Sequence, residues 1–251
     1  MSRTIIVTYG LMCYLFSMAM LVLFILFANN HMGVLGSPDL TSLNIDQAHG
    51  DPLGSALPVN LGLLLLFGVQ HSAMARGRFK QLLTRLIPAS CERSTYVLAT
   101  GVVLWLMVAY WQPMPVLLWK VEGETARAVI NSIYYFGWMV TTLATFMLNH
   151  FHLFGLQQSF RPDDPDAGTK EFRTPGLYRL VRHPIQTGVV IAMLATPDMS
   201  IGRAVLAVGM LVYVVVGLMY EERDLIAHFG DTYHDYKKRV PAVLPFTRRK
   251  H

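Results

Sequence analysis

Charged residues are scarce in this chain. Asp, Glu, Lys and Arg make up 15% of its 251 residues, whereas they make up about 25% of a soluble globular domain. The hydrophobic fraction is 53%. This balance argues against a soluble protein and indicates an integral membrane protein, because long apolar segments are stable when lipid surrounds them.

Cysteine is nearly absent as well. The two cysteines, Cys13 and Cys91, lie in an apolar segment and in a basic loop, so we expect no disulfide between them. The chain also lacks a Cys-rich cluster, a Walker phosphate-binding loop, a Gly-x-Gly-x-x-Gly turn and a Gly-x-Ser-x-Gly nucleophile elbow. The sequence therefore does not indicate a Cys-bound metal site, a phosphate-binding loop, a dinucleotide-binding turn or a serine hydrolase.

What the chain does contain is a series of long apolar runs. The first is too long for a signal peptide and no small-x-small cleavage site follows it, so we expect a retained transmembrane helix. The six runs are Ile5–Ala28, Leu57–Met74, Tyr96–Trp111, Val129–His150, Ile185–Thr196 and Ile201–Tyr220. The Ile185 run is short, which predicts a half-length or tilted helix paired with the last run. The expected fold class is an all-α, polytopic integral membrane helical bundle with five to six transmembrane segments, forming one domain over residues 1–251.

Basic residues are distributed unevenly between the loops. No Lys or Arg occurs between Ala28 and Leu57, whereas the next loop is rich in them. Its basic residues are Arg76, Arg78, Lys80, Arg85 and Arg93. By the positive-inside rule, this alternation predicts that both chain termini face the cytosol of a bacterial inner membrane. Because topology accounts for the net charge of +5, we expect no nucleic-acid partner.

The last part of the chain is polar and basic. Apolar residues recur at helical spacings from Leu225 to Val240, and Pro241 follows, which predicts a C-terminal amphipathic cytosolic helix. Such a helix could lie on the membrane interface, cover a cofactor, or do both. The longest cytosolic loop, Phe151 to Gly176, is rich in turn-forming residues and is either a lid or a solvated connector.

The tripeptide Arg182-His183-Pro184 precedes the short apolar run. Proline is favoured in the first turn of a helix, so Pro184 is predicted to begin one with His183 at its cap. The exposed N–H groups and the positive dipole end of such a helix favour a carboxylate nearby. Tyr178 and Arg182 lie one helical turn apart in the segment that leads to Pro184, which favours a binding site over an ordinary helix start.

Two consecutive carboxylates, Glu221 and Glu222, end the last apolar run. Acidic residues are disfavoured at a helix C-terminus, so we expect this helix to continue into the tail. Because two carboxylates in a row face a basic loop, we expect that at least one of them binds a cation. An ammonium group, or the two hydroxyls of a ribose, would suit it.

Four histidines lie near predicted membrane boundaries: His71, His150, His152 and His183. His150 and His152 are two residues apart, which puts them on different faces of a helix, whereas a helical zinc pair requires a spacing of four. We therefore predict no metal site. The boundary histidines also leave open a protein of another class, either a non-enzymatic membrane scaffold or a haem-binding membrane protein.

The order and spacing of the later motifs resemble the isoprenylcysteine carboxyl methyltransferase superfamily. These motifs are Gly176-x-Tyr178, Arg182-His183-Pro184 with Gly188, Glu221-Glu222, Phe229-Gly230, Tyr233, Tyr236-Lys237-Lys238, Val240-Pro241 and Leu244-Pro245-Phe246. Upstream, the motifs that are similar to the nurim-like branch begin at His71, Glu92, Asn149 and Phe172.

The resemblance implies that S-adenosyl-L-methionine is the methyl donor and that residues of about 170–246 bind it. The pocket it implies consists of Lys170, Glu171, Phe172, Arg173, Tyr178, His183, Pro184, Ile185, Gln186 and Glu221. Within the nurim-like branch, the implied reaction is methylation of a small thiol, methanethiol, to dimethyl sulfide. Methylation of a lipid or another hydrophobic thiol is the alternative.

Two positions depart from the superfamily's pattern. Gln186 stands where a tyrosine is frequent, and Gly217 stands where the prenylcysteine enzymes have an arginine for the substrate carboxylate. The second departure favours a small or neutral acceptor. Because the thiolate is the reactive form of a thiol, a base or a positive field would assist. The candidates, in order of preference, are His150, His152 and Arg182, with His71 as a weaker fourth.

Overall fold

The computed structural model describes residues 2–46, 53–162 and 172–245. Lys170 and Glu171 of the predicted pocket, and Phe246 of the last motif, lie outside these residues. The helices are α1 Arg3–Ala28, α2 Pro38–Thr41, α3 Leu53–Met74, α4 Gly77–Leu83, α5 Ala89–Tyr110, α6 Glu124–Leu148, α7 His150–Leu153, α8 Leu156–Phe160, α9 Pro184–Leu194, α10 Ile201–Phe229 and α11 Asp231–Arg239. The strands are β1 Leu117–Lys120 and β2 Asp198–Ser200, and single 3-10 turns cover Met32–Leu35 and Gly176–Arg179.

All six apolar runs are helical. Within the described ranges, four helices are long and apolar enough to cross a membrane, namely α1, α3, α5 and α10. The helix α6 has 25 residues but falls short of these four in hydropathy, because polar residues such as Asn131, Thr141 and Thr142 lie along it. The helix α9 has 11 residues and is half-length, as predicted. The all-α polytopic membrane fold is confirmed.

One compact unit contains α1 to α5, α8, both strands and the start of α10. The helices α1 and α5 pack along each other, and the Ser17 hydroxyl donates to the Val97 carbonyl oxygen at 2.9 Å. Cys13 and Cys91 are both buried free thiols in this unit, so the expectation of no disulfide is confirmed. The strands pair antiparallel, with Lys120 opposite Asp198, and β2 leads directly into α10.

The second compact unit contains α6, α9, α11 and α10 from Met210 onwards. The helix α9 was predicted to pair with α10, but it packs chiefly along α6. Gly137 of α6 faces Gly188 and Ala192 of α9, and a Cβ atom added to Gly137 would lie 2.6 Å from the Gly188 carbonyl oxygen. Small residues permit this close approach. Thr141 lies after Gly137 in α6, and its hydroxyl donates to the carbonyl oxygen of Ile185, which lies before Gly188 in α9, at 3.0 Å. Contacts that advance along α6 therefore move back along α9, so the two helices run antiparallel.

The tail is helical but not continuous. The helix α10 continues past Glu221 and Glu222 to Phe229, which confirms that the carboxylates are not at a helix end. Gly230 then interrupts the predicted amphipathic helix with φ 55° and ψ −130°, a conformation that glycine adopts readily. The second part, α11, ends at Arg239, shortly before Pro241. The segment Phe151–Gly176, predicted as a loop, contains α8 and most of α7.

Candidate functional site

The start of α9 has the predicted geometry. Pro184 is the first helical residue and His183 is the N-cap, so both expectations are confirmed. The His183 side chain is only 3% exposed, and its backbone N–H donates to the Ala242 carbonyl oxygen at 3.0 Å. The imidazole is therefore fixed at the positive end of a helix, where an anionic group is stabilised.

Glu222 is surrounded by cationic groups. Its Oε1 accepts from Arg182 Nε at 2.9 Å and from a second nitrogen of the same guanidinium. His183 Nε2 lies 3.2 Å from that oxygen, and Lys237 Nζ donates to Oε2 at 2.6 Å. The Glu222 side chain is 15% exposed. Charge-assisted bonds of this kind are the strong ones, so Glu222 is held in one position.

Glu221 has a different environment from that of its neighbour. Its side chain is 47% exposed, and its Oε2 accepts a hydrogen bond from Gln186 Nε2 at 3.0 Å. The same oxygen lies 3.6 Å from His183 Nδ1. The two nitrogens of His183 therefore face two different carboxylates. Glu221 offers an accessible negative charge beside the start of α9.

The chain after α11 lies against the His-Pro corner. We call residues Val240–Val243 the tail strap. The Arg182 guanidinium donates to the Val240 carbonyl oxygen at 2.5 Å, and the Arg182 backbone N–H donates to the Pro241 carbonyl oxygen at 2.8 Å. The Thr187 hydroxyl donates to the Val243 carbonyl oxygen at 2.8 Å. These bonds attach the tail strap to α9 and to the residues before it.

Aromatic side chains connect Phe172 and Tyr178 to the tail. The Phe172 ring lies 5.2 Å from those of Phe229 and Tyr236, and 6.0 Å from that of Tyr233, measured between centroids. The Tyr236 hydroxyl donates to the Tyr178 carbonyl oxygen at 2.5 Å. Burial raises the pKa of Tyr236 to about 12, so the phenol stays protonated and keeps donating at neutral pH.

His150 follows α6 and is buried. Its ring stacks on that of Phe146, with centroids 4.2 Å apart, and its Nδ1 lies 2.8 Å from the Thr145 hydroxyl. That hydroxyl donates to the Thr142 carbonyl oxygen at 2.7 Å, so it accepts from Nδ1–H, and the neutral ring carries its lone pair on Nε2. Because α6 and α9 run antiparallel, His150 and His183 lie at the same end of this helix pair.

The other two histidines lie in the first unit. His71 has both ring nitrogens engaged, with Nε2 2.7 Å from the Tyr96 hydroxyl and Nδ1 3.3 Å from the Thr100 hydroxyl. The His152 carbonyl oxygen accepts from Gln158 Nε2 at 3.0 Å. Of the four boundary histidines, His150 and His183 are therefore the two that the structure brings to one end of the second unit.

Sequence reasoning missed part of this network. Of the predicted pocket, Tyr178, His183 and Pro184 are buried, Ile185 and Gln186 lie in the first turn of α9, and Arg173 is exposed. Lys237 and Tyr236 were given no role in binding, and Glu222 was considered only together with Glu221, as a pair of which at least one binds a cation. All three make short polar contacts around the corner. A signal was present, because the adjacent carboxylates Glu221 and Glu222 and the tail lysines Lys237 and Lys238 carry opposite charges.

Fold and site together define an integral membrane helical protein with an ion network at the start of a short helix. A family model described as "NnrU protein" matches residues 60–246. The chain is 42% identical over 210 residues to Methanethiol S-methyltransferase 2 of Bradyrhizobium diazoefficiens, which covers 82% of this chain and 81% of the relative. It is 40% identical over 250 residues to Methanethiol S-methyltransferase of Mycobacterium tuberculosis, with 99% of each chain covered.

A more distant similarity, 26% identity over 200 residues, relates the chain to Nurim of Bos taurus, with 76% of each chain covered. No solved structure matches the chain. The family model covers well over half of the sequence, and the two bacterial relatives cover 82% and 99% of it. The chain belongs to the NnrU family.

Proposed function

We propose that this protein is a membrane-embedded methyltransferase that converts methanethiol to dimethyl sulfide with S-adenosyl-L-methionine as donor. Relatives 40–43% identical to the chain are named methanethiol S-methyltransferases, which supports methanethiol as the methyl acceptor. The observation that carries the proposal in this structure is the exposed Glu221 carboxylate, 3.6 Å from His183 at the start of α9.

The chemistry of the donor fits these residues. Its ammonium group, or its ribose hydroxyls, would bind the accessible oxygens of Glu221, which has one hydrogen bond to Gln186. Its carboxylate suits the positive end of α9, a helix of 11 residues that begins at Pro184. The remaining predicted contacts, from Lys170 to Arg173 and at Tyr178 and Ile185, belong to the same proposal.

The acceptor must lose a proton before or during the reaction. When bound, the donor supplies a methyl group that its sulfonium makes electrophilic. His150 takes the thiol proton on Nε2, because Nδ1–H is already donated to Thr145. The contact with Thr145 places the lone pair of the neutral ring on Nε2, where it accepts that proton. In the transfer, a bond would form between the thiolate sulfur and the methyl carbon, and the bond from that carbon to the donor sulfur would break, leaving S-adenosylhomocysteine. Alignment of two reactants contributes about 7–11 kcal/mol to such a step.

Arg182 has a supporting role in this proposal. Its guanidinium is bonded to Glu222 and to the carbonyl oxygen of Val240, and an arginine does not lose its proton in proteins. We therefore assign Arg182 the role of linking Glu222 to the tail strap. His152 and His71 remain weaker candidates for the base. By the positive-inside rule, the site and both termini face the cytosol of the inner membrane.

The test is headspace gas chromatography of purified protein in membranes, supplied with methanethiol and S-adenosyl-L-methionine. The expected result is dimethyl sulfide in an amount equal to the S-adenosylhomocysteine formed. Turnover of long-chain thiols with none of methanethiol would instead support a lipid-thiol methyltransferase. A Soret band in the purified protein, with no turnover of any thiol, would support the haem-binding alternative.

A further inference from the structure

We propose that Glu222 is a positioning residue that fixes the ring of His183 and attaches the tail strap, while Glu221 is the carboxylate that meets the ligand. This inference rests on the proposed function, and it assigns separate roles to two identical neighbours. Glu222 reaches three groups on two separate segments, Arg182 and His183 before α9 and Lys237 in α11.

The contacts of Glu222 account for both of its oxygens. Arg182 and His183 share Oε1, and Lys237 takes Oε2. With 15% of the side chain exposed, little of this carboxylate is open to a ligand. The Glu221 side chain is 47% exposed, and its contacts with Gln186 Nε2 and His183 Nδ1 both involve Oε2, so this carboxylate is more open to a ligand. The difference in exposure separates the two roles.

Glu222 determines which way the imidazole of His183 points. The ring is 3% exposed, and its Nε2 lies 3.2 Å from Glu222 while its Nδ1 lies 3.6 Å from Glu221. When Nε2–H is donated to Glu222, Nδ1 faces Glu221 and the place where Glu221 would bind the ligand. Without the charge on Glu222, the ring loses its shorter polar contact and keeps only the longer one, 3.6 Å from Nδ1 to Glu221.

Glu222 also holds the tail strap through Arg182. The Arg182 side chain is 8% exposed, and its positive charge is compensated by Glu222. A buried cation that loses its partner is strongly disfavoured, so the guanidinium would move towards water. It would then release the Val240 carbonyl oxygen, and the backbone bonds from Arg182 and His183 to Pro241 and Ala242 would weaken.

The first measurement is hydrogen–deuterium exchange of the ligand-free protein, read at the backbone amides of Arg182 and His183. Glu222→Gln is expected to speed exchange at these amides by about tenfold or more, because the tail strap opens locally. Glu222→Asp keeps the charge and should restore most of the protection. Lys237→Gln should give an intermediate effect. The matched control is Lys238→Gln, which removes the neighbouring charge but breaks only an exposed pair with Asp235.

The second measurement is the affinity for S-adenosylhomocysteine by calorimetry, together with the KM for the donor and kcat. Glu222→Gln should weaken binding about tenfold, equivalent to about 1.4 kcal/mol, and raise the donor KM while kcat changes less. Glu222→Asp should recover much of the affinity. Glu221→Gln should also weaken binding but leave exchange at Arg182 and His183 unchanged.

These results separate the two proposals. Unchanged exchange and unchanged affinity in Glu222→Gln would overturn the positioning role. Equal exchange in Lys237→Gln and Lys238→Gln would overturn the claim that Glu222 holds the tail strap through Lys237. Unchanged affinity in Glu221→Gln would instead remove the proposed pocket, and the exchange data would still decide whether Glu222 holds the strap.

Discussion

At the scale of single residues, the site is built from side chains of the same type in contrasting environments. Glu221 and Glu222 are adjacent, yet one is open to solvent and the other is enclosed by Arg182 and Lys237. His150 and His152 lie two residues apart but belong to different compact units. Matched substitutions within each pair therefore test function with nearly identical chemical changes.

The role of His150 as a base predicts a pH-dependent defect. His150→Gln should lower kcat about 10²-fold or more near neutrality, the usual contribution of a general base. The deficit relative to the unmodified protein should shrink as the pH rises towards the pKa of the thiol, because the acceptor then ionises without help. Initial rates of dimethyl sulfide formation between pH 6 and about 9 measure this. His152→Gln is the comparison, and an equal deficit in both variants would reject the assignment.

The hydrogen bond of Tyr236 predicts a change in stability. Tyr236→Phe leaves the buried Tyr178 carbonyl oxygen without its donor and should lower the free energy of unfolding by about 1–3 kcal/mol. Tyr233→Phe is the control, because its hydroxyl has no hydrogen-bond partner among the residues that the structure describes. Denaturant unfolding in detergent compares the two, and equal losses would contradict the prediction.

The pH dependence of the Tyr236 contribution follows from the raised pKa. Burial raises that pKa from 10.0 to about 12, so the folded protein holds the phenolic proton more tightly than the unfolded chain does. The contribution is therefore complete below about pH 10 and is lost as the pH rises through 12. The difference in unfolding free energy between Tyr236→Phe and the unmodified protein should be constant from pH 6 to about 9.

At the scale of elements, the pairing of α6 with α9 sets the position of the site. The helix α9 is too short to cross the membrane alone, and it lies against α6 through Gly137 and Gly188. Because the pair is antiparallel, the contact in the middle of the two helices determines how His150, which follows α6, is placed relative to His183. A change in this interface should therefore act on the site at a distance.

Gly188→Ala tests the interface. An added Cβ atom would clash with the Gly137 carbonyl oxygen and with the side chain and backbone nitrogen of Thr141, and the backbone atoms cannot move aside alone. Overpacking of this kind costs about 1–3 kcal/mol. The control is Gly217→Ala in α10, where no atom lies within 4 Å of the new Cβ and helix propensity should stabilise slightly. A melting temperature that falls in both variants, or in neither, would contradict this account.

At the scale of the whole molecule, the apolar helices and the distribution of charge predict how the chain crosses the membrane. Cys13 and Cys91 are buried, so a cysteine introduced at an exposed position should be the one that reacts with a polar maleimide. Ser42→Cys should be labelled from outside intact cells, because its loop lacks basic residues. Gln81→Cys and Lys238→Cys should be labelled only after the membrane is opened.

Labelling of Gln81→Cys in intact cells would reverse the predicted orientation and place the candidate site outside the cytosol. Equal labelling of Ser42→Cys and Gln81→Cys in intact cells would contradict a membrane crossing by α3 between them. Denatured protein serves as the control for reactivity, since every introduced cysteine should be labelled there.

The sequence by itself determined the features that depend on neighbouring residues and on composition. Apolar runs indicated the membrane helices because hydrocarbon excludes charge, and Pro184 indicated the start of α9 because a proline loses no needed hydrogen bond there. Gly230 is the local exception. It was read within a continuous helix, and its conformation is visible only in the structure.

The tertiary structure decided which distant residues meet. Arg182 and Glu222 are 40 positions apart, and Lys237 is 15 positions beyond Glu222, so no local pattern could pair them. It likewise decided that α9 lies on α6, because the fit depends on the absence of side chains at Gly137 and Gly188. Burial then gave two adjacent glutamates different environments, since exposure is a property of the packed chain and not of the residue type.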